Sequence, residues 1–249
     1  MPRIPSSGEI LRCRRELLDC GYSVLEDPWT AEESRRMRRI LEDLLALDGV
    51  ERFPGFGCKV FALRYYEPAM RAFYDAAPVR GVLEQMFEDG ARFPMTGVRW
   101  STRESTPRLE WHDHYCWDPG LLRRRERFER LSFLCYIDGC DAAMGPLIAS
   151  PRAFHDPLHA PSPDVYAARP EEVEIYAPPS SIVLMDSAVY HCARRGESDA
   201  MRTVWGGQAQ AAHCRRYHPQ TTDGLVPYLR AQRKRWRMRV RDQPFSATP

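Results

Sequence analysis

The sequence predicts a mainly β chain with helices, an antiparallel sandwich or jelly-roll barrel with N-terminal helices packed on one sheet. Three observations predict it. Two capping-box patterns, each followed by apolar residues at helical spacing, stand in the first 50 residues. From residue 96 onward, short alternating or β-branched runs recur between Pro and Gly residues. No internal repeat or low-complexity linker divides the 249 residues, so the chain reads as one domain. Within it, 1–95 is a helical and mixed part, 96–215 the barrel core and 216–249 a basic tail.

The elements follow in order. Ser6-x-x-Glu9 precedes Ile10, Leu11, Leu17 and Leu18, which predicts a helix over 7–20 that ends at Gly21. Tyr22–Leu25 reads as a short strand. Thr30-x-x-Glu33 opens a second helix, whose apolar face is Met37, Ile40, Leu41, Leu44 and Leu45 and which runs to about Leu47. Strands are expected at 59–65 and 96–102, with a helix Val79–Phe87 between them. The barrel runs are Arg108–Trp117, Leu131–Asp138, Pro146–Ser150, Glu172–Tyr176, Ser181–Asp186, Ala188–Ala193 and Arg202–Ala211. Eight prolines in 141–180 predict a long loop over the barrel mouth. The run Leu121–Arg130 reads as a solvated loop or short helix, and Trp205-Gly-Gly207 as a bulge or close backbone approach.

Composition excludes several classes. With 43% hydrophobic and 28% charged residues the chain is neither disordered nor fibrous. The charge of +2, from 36 basic against 34 acidic residues, is not that of a nucleic-acid binder. Of the basic residues 34 are Arg and two are Lys (Lys59, Lys234), a codon bias rather than 34 functional guanidiniums. No apolar run approaches the roughly 20 residues of a membrane span, and MPRIPSSGEI has no apolar h-region. The eight cysteines, with no C-x-x-C, are therefore expected as free thiols in a reducing, cytoplasmic compartment.

The chemistry concentrates in Glu110-Trp111-His112-Asp113-His114. On a strand, His112 and His114 point to one face about 7 Å apart, and Asp113 to the other. Two imidazoles so placed can converge on a borderline ion such as Fe, Zn, Cu or Ni. A third candidate is His191, after the apolar strand Ser181–Asp186, with Arg202 eleven residues later. On the next antiparallel strand, Arg202 would present a planar fork to a carboxylate near the ion. A metal beside such a clamp suits a cosubstrate that chelates and carries a distal carboxylate, the shape of 2-oxoglutarate.

In these residues the chain resembles the phytanoyl-CoA dioxygenase-like iron(II)/2-oxoglutarate oxygenases. The resemblance covers LLDCGYSVLEDPWTAEESRRMRRILEDLL, then Trp111–His114, then Asp141–Leu147 with Pro151–His155, and ends with His191 and Arg202, about two thirds of the chain. It implies a double-stranded β-helix, a cupin-like jelly roll. It implies Fe(II) and 2-oxoglutarate as cofactors, with O2 and a small-molecule substrate as partners and neither nucleic acid nor membrane. By its W-H-x-D pattern, His112 and His191 would be iron ligands and Arg202 would bind the far carboxylate. His155 would belong to a motif shaping the barrel mouth.

The departure is His114, where the family pattern has the carboxylate ligand. Four arrangements stay open: a three-histidine site, a bulge that turns Asp113 inward, Glu110 as the carboxylate, or a decayed site that only binds. A ligating His114 opens no halide position, which argues against halogenation. Three-histidine dioxygenases of the cupin class use no 2-oxoglutarate, and Arg202 argues against that reading. Of Arg99 and Arg103, on the strand before the metal strand, one is a candidate to reach the cavity and pair with an anionic substrate, while the Arg-rich composition favours an outward-facing role. Trp111, Tyr115 and Trp117 are expected in the core between sheets. Cys192 is expected to point away from the ion. His159, His213 and His218 are read as loop or surface residues.

Overall fold

Among the described residues, two antiparallel sheets, three α-helices and one 3-10 turn (Ala142–Met144) make up the elements of the computed structural model, which describes residues 6–45, 51–53, 57–61, 76–88, 90–101, 103, 109–114, 126–157 and 164–213. Tyr115, Cys116, Trp117, His159, His218 and the basic tail lie outside the described residues.

In chain order the elements are α1 (Ser7–Asp19), β1 (Tyr22–Leu25), α2 (Ala31–Leu45), β2 (Glu51–Phe53), β3 (Gly57–Phe61), α3 (Ala77–Met86), β4 (Ala91–Ser101), β5 (Leu109–His112), β6 (Arg130–Tyr136), β7 (Leu147–Ser150), β8 (Val173–Ile175), β9 (Ser181–Asp186), β10 (Tyr190–Ala193) and β11 (Arg202–Ala211). The larger sheet has the order β1-β9-β6-β11-β4-β3-β2, the smaller β5-β10-β7-β8.

Local chemistry starts and stops the helices where the sequence marks them. The Ser6 hydroxyl accepts from the Glu9 N–H (3.2 Å) at the start of α1. At α2 both arms of the capping box close: Glu33 N–H donates to Thr30 Oγ1 (3.2 Å), and Thr30 N–H to Glu33 Oε2 (2.8 Å). Gly21 follows α1 at φ 83°, a left-handed turn that only glycine makes freely, and a Cβ there would lie 2.4 Å from Val189 Cγ2. α3 begins two residues before its expected start, because Pro78 sits in a first turn whose N–H groups need no helical partner.

Several strands differ from their expected bounds. β2 was not foreseen. Its three residues, ERF, are too short to show an alternating pattern and gain their partner only by pairing with β3. β3 spans Gly57–Phe61, and the rest of the expected 59–65 lies outside the described residues. β4 begins at Ala91, because β11 extends the ladder to the Ala211–Ala91 pair. β5 ends at His112, well before Trp117, as the chain bends at Asp113 and His114.

The larger sheet separates two cores. On its helix side, Leu131, Phe133 and Cys135 of β6, Ile182 and Leu184 of β9, and Trp205 of β11 pack with Leu17 of α1, Met37 and Leu41 of α2 and Val82 of α3. Each fully buried Leu, Phe or Met stabilises this layer by about 1.5–3 kcal/mol. On the other face, Tyr136, Val183 and Met185 meet Leu147, Ala149 and Ile175 of the smaller sheet. Alternation on β6 and β11 assigns successive residues to these two layers.

A third cluster covers the outer face of the smaller sheet. Trp111 is buried there with Ile148, Tyr190 and Cys192 rather than between the sheets. Its ring stacks on Tyr190 at 5.7 Å, and the Arg169 guanidinium lies over Tyr190 at 4.7 Å. Trp111 N–H donates to Val165 O and its indole N–H to Ala167 O, both at 2.8 Å. The described end of the Pro-rich segment thus runs along β5 and seals the outer face, where a cover over the mouth was expected. The expectation for Trp111 fails because this segment supplies a second apolar layer that local alternation does not reveal.

Candidate metal centre

His112 closes β5 and is the register partner of His191 on β10. Cross-strand partners share a face, so these two imidazoles stand side by side toward the larger sheet, with ring centroids 4.3 Å apart. His114 arrives differently. The chain leaves the strand at Asp113, and His114 N–H donates to Ser187 O at 2.9 Å. That anchor swings its ring to 4.7 Å from His191 and 5.4 Å from His112. A regular strand would place the pair about 7 Å apart; the bend brings the rings closer.

One ligand atom from each histidine lies within 4.8 Å of the others, and the trio is the group of metal-competent side chains found among the described residues. Neither Asp113 nor Glu110 belongs to it. Glu110 Oε1 accepts from the Tyr166 hydroxyl (3.0 Å) and is exposed. The β5–β10 pairing is irregular between His112 and Leu109, upstream of Asp113.

Each imidazole is held at Nδ1. His112 Nδ1 meets Glu110 O (2.8 Å), His191 Nδ1 meets Val189 O (2.9 Å) and His114 Nδ1 meets the Ser132 hydroxyl (3.0 Å). A carbonyl can only accept, so His112 and His191 carry their proton on Nδ1 and the lone pair on Nε2. Burial, with His112 next and Arg130 after it, pushes the His114 pKa down to about 3. Burial, then His112 and His114, also holds His191 well below the usual histidine value. His114 and His191 are therefore neutral at pH 7, the state a metal requires.

The donor set fits a borderline divalent ion. Metal–imidazole bonds of about 2.1 Å need nitrogens about 3 Å apart, so the widest separation has to close by under about 2 Å, within reach of side-chain rotation. His112 and His114 are half-buried, which leaves the trio reachable from solvent.

The wall facing the histidines is the inner face of β6 and β11, where Arg130, Ser132, Arg202, Gln208 and Gln210 are buried polar residues. Arg202 belongs to the larger sheet, whereas His191 is in the smaller one. The expectation of adjacent strands fails because the chain crosses between sheets in Arg194–Met201. Arg202 Nη1 donates to Gly145 O and touches Cys140 Sγ at 4.0 Å. Burial pushes the Cys140 thiol up to about 11, so this neighbour is uncharged.

Arg99 is the register partner of Val204. Arg103 is exposed and pairs with Asp199 at 3.3 Å. His155 is exposed, its ring 5.0 Å from Phe154, in an outer groove lined by Arg14, Leu18, Met86 and His213. That places it against the helix side and away from the histidine trio. Cys192 packs with Trp111 on the outer face. Cys13, Cys20, Cys135, Cys140 and Cys192 are free thiols. Sequence reasoning did not find Ser132 or Gln208, because neither lies in a motif and only strand pairing brings them to the site.

No protein-family model and no curated protein matches the chain. Solved structures do. It is similar to the non-haem alpha-ketoglutarate-dependent carbocyclase SnoK from nogalamycin biosynthesis, with TM-score 0.70 and 18% identity over 92% of this chain and 93% of that one. HygX from Streptomyces hygroscopicus, with nickel and 2-oxoglutarate bound, gives 0.67 and 12% over 85% and 89%. EctD from S. alaskensis with bound Fe gives 0.65 and 17% over 83% and 77%. The chain shares the fold of these proteins. No helix among the described residues is long and apolar enough to cross a membrane.

Proposed function

We propose that the chain is a cytoplasmic, non-haem iron(II)- and 2-oxoglutarate-dependent oxygenase that oxidises a C–H bond of a small molecule. In this reading it is a single domain on a jelly-roll core, of the phytanoyl-CoA dioxygenase-like kind. The observation that carries the reading is the convergence of His112, His114 and His191 to within 4.8 Å, in a fold shared with proteins crystallised with Fe or Ni and 2-oxoglutarate.

His112, His114 and His191 hold the ion, and the grouping of three imidazoles without Asp113 or Glu110 supports this set over either carboxylate arrangement. Iron held there supplies the oxidation of a C–H bond by O2, with 2-oxoglutarate as the co-oxidised cosubstrate. Three neutral donors leave the ion its full double charge, which a dianionic cosubstrate balances. Glu110 O, Val189 O and Ser132 Oγ keep the rings oriented. Arg202 takes the far carboxylate with its planar fork. Its burial at 4% exposure strengthens that contact, and the neutral Cys140 thiol beside it does not compete.

The all-imidazole set favours one second reading, a three-histidine dioxygenase that uses no 2-oxoglutarate. Arg202 separates the two. Anaerobic titration of the Fe(II)-loaded protein with 2-oxoglutarate, followed by visible absorption, is expected to give a weak, saturable charge-transfer band that is lost in Arg202→Ala. Bound Fe(II) with no band moves the assignment to the second reading. No Fe(II) binding sinks both and leaves a binding protein on this fold.

A further inference from the structure

Gln208 carries an observation that the metal centre does not use. β11 pairs with β6 so that Gln208 stands opposite Ser132. Cross-strand partners share a face, and the Ser132 hydroxyl is the group that meets His114 Nδ1. Trp205 and Ala209 of the same strand belong to the helix-side core, so alternation also turns Gln208 toward the histidines. The residue is 1% exposed. Both carboxamide atoms, Oε1 and Nε2, are buried with no hydrogen-bond partner among the described residues. A buried amide in that state destabilises the fold, and native structures keep few such groups without a reason.

Arg202, which gives one N–H to Gly145 O, stands at one end of this face. Between it and Gln208 stand Val204, half-buried in the cluster between the sheets, and Gly206, where the Phe133 backbone approaches so closely that a Cβ would clash with its carbonyl oxygen. The inner face of β11 offers a guanidinium and an amide six residues apart, about 20 Å along the strand. A carboxylate ligand and a second molecule can occupy the two ends without competing.

We infer that Gln208 reads the substrate. Its carboxamide gives one hydrogen bond to, and takes one from, a small molecule lying against His114. The class of molecule is set by that pair: a donor and an acceptor on neighbouring atoms, as in a primary amide or a hydroxyl beside a carbonyl. An analogue without the donor leaves Gln208 Oε1 unpaired and is rejected. The catalytic sense of this site rests on the metal-centre reading above; the binding itself does not.

The test uses isobutyramide and its isostere 3-methyl-2-butanone, in which a methyl replaces the NH2. Binding is followed by saturation-transfer NMR on the whole chain, metal-free and loaded with Mn(II), in wild type and in Gln208→Met. Wild type is expected to bind the amide at least tenfold more tightly than the ketone. Gln208→Met is expected to lose that preference and to melt no lower than wild type, since it removes an unpartnered amide. Mn(II) is expected to broaden the bound amide's signals. Equal binding of the two probes by wild type, which needs no variant, overturns the inference. So does binding of neither probe, a preference kept in Gln208→Met, or a lowered melting temperature in that variant. A Gln208-dependent preference with no Mn(II) bound overturns the metal-centre reading and leaves the inference standing.

Discussion

Ser132 and Phe133 are neighbours on β6 and face opposite ways. Phe133 is fully buried on the helix side, its ring 6.0 Å from Trp205 and edge-on to it, among Leu17, Met37 and Val82. Ser132 is as deeply buried, but its hydroxyl holds His114. The same strand thus stabilises the fold with one face and sets the metal-competent site with the other. Phe133 serves through area removed from water, which is non-directional. Ser132 serves through one hydrogen bond, where direction is everything.

This contrast can be broken by experiment. The largest effect is expected from Phe133→Ala, which should lose about 3–5 kcal/mol of stability through lost transfer energy and the cavity left behind. Urea unfolding measures it, and the metal affinity of the folded fraction should stay near that of wild type. Ser132→Ala should do the reverse. Ni(II) affinity should fall about 10–100-fold, because His114 loses the partner that orients its ring. Stability should change by only about 1 kcal/mol, one hydrogen bond. Equal losses of stability in the two variants would mean that the faces are not specialised.

The last effect concerns acid. The folded chain holds His114 at about 3 and His191 well below its usual value, while both titrate near 6.5 when unfolded. Between those values the unfolded state binds protons that the folded state does not, so metal-free stability is full above about pH 6.5 and falls as the pH drops toward 3. The urea midpoint should drop between pH 7 and pH 5.5, and by less in His114→Gln. An equal drop in that variant would place the cause elsewhere.

Much of the architecture was legible. Ser6, Thr30 and Gly21 announce the ends of α1 and α2 through hydrogen bonds to residues three to five positions away. The runs that became β1, β9 and β11 show their bounds because their patterns are bracketed by turn residues. The histidines themselves could be named from H-x-H, a distant His and the following Arg. Their arrangement could not. His114 reaches the group by leaving the strand, held by Ser187 O and Ser132, and strand alternation describes only residues that stay on it. Arg202 lies across the sandwich from His191, which chain order alone does not distinguish from an adjacent strand.

The division follows from the range of the forces involved. Caps, turns and alternation act over a few residues, so the amino-acid order determines helix ends, strand faces and the identity of the imidazoles. Strand pairing acts between distant segments. It alone decides that Ser132 meets His114, that Gln208 stands beside Ser132, that His112 faces His191, and that Trp111 is buried under the segment around Val165. Each of these depends on register, and a shift of one residue would turn every one of those side chains to the opposite face.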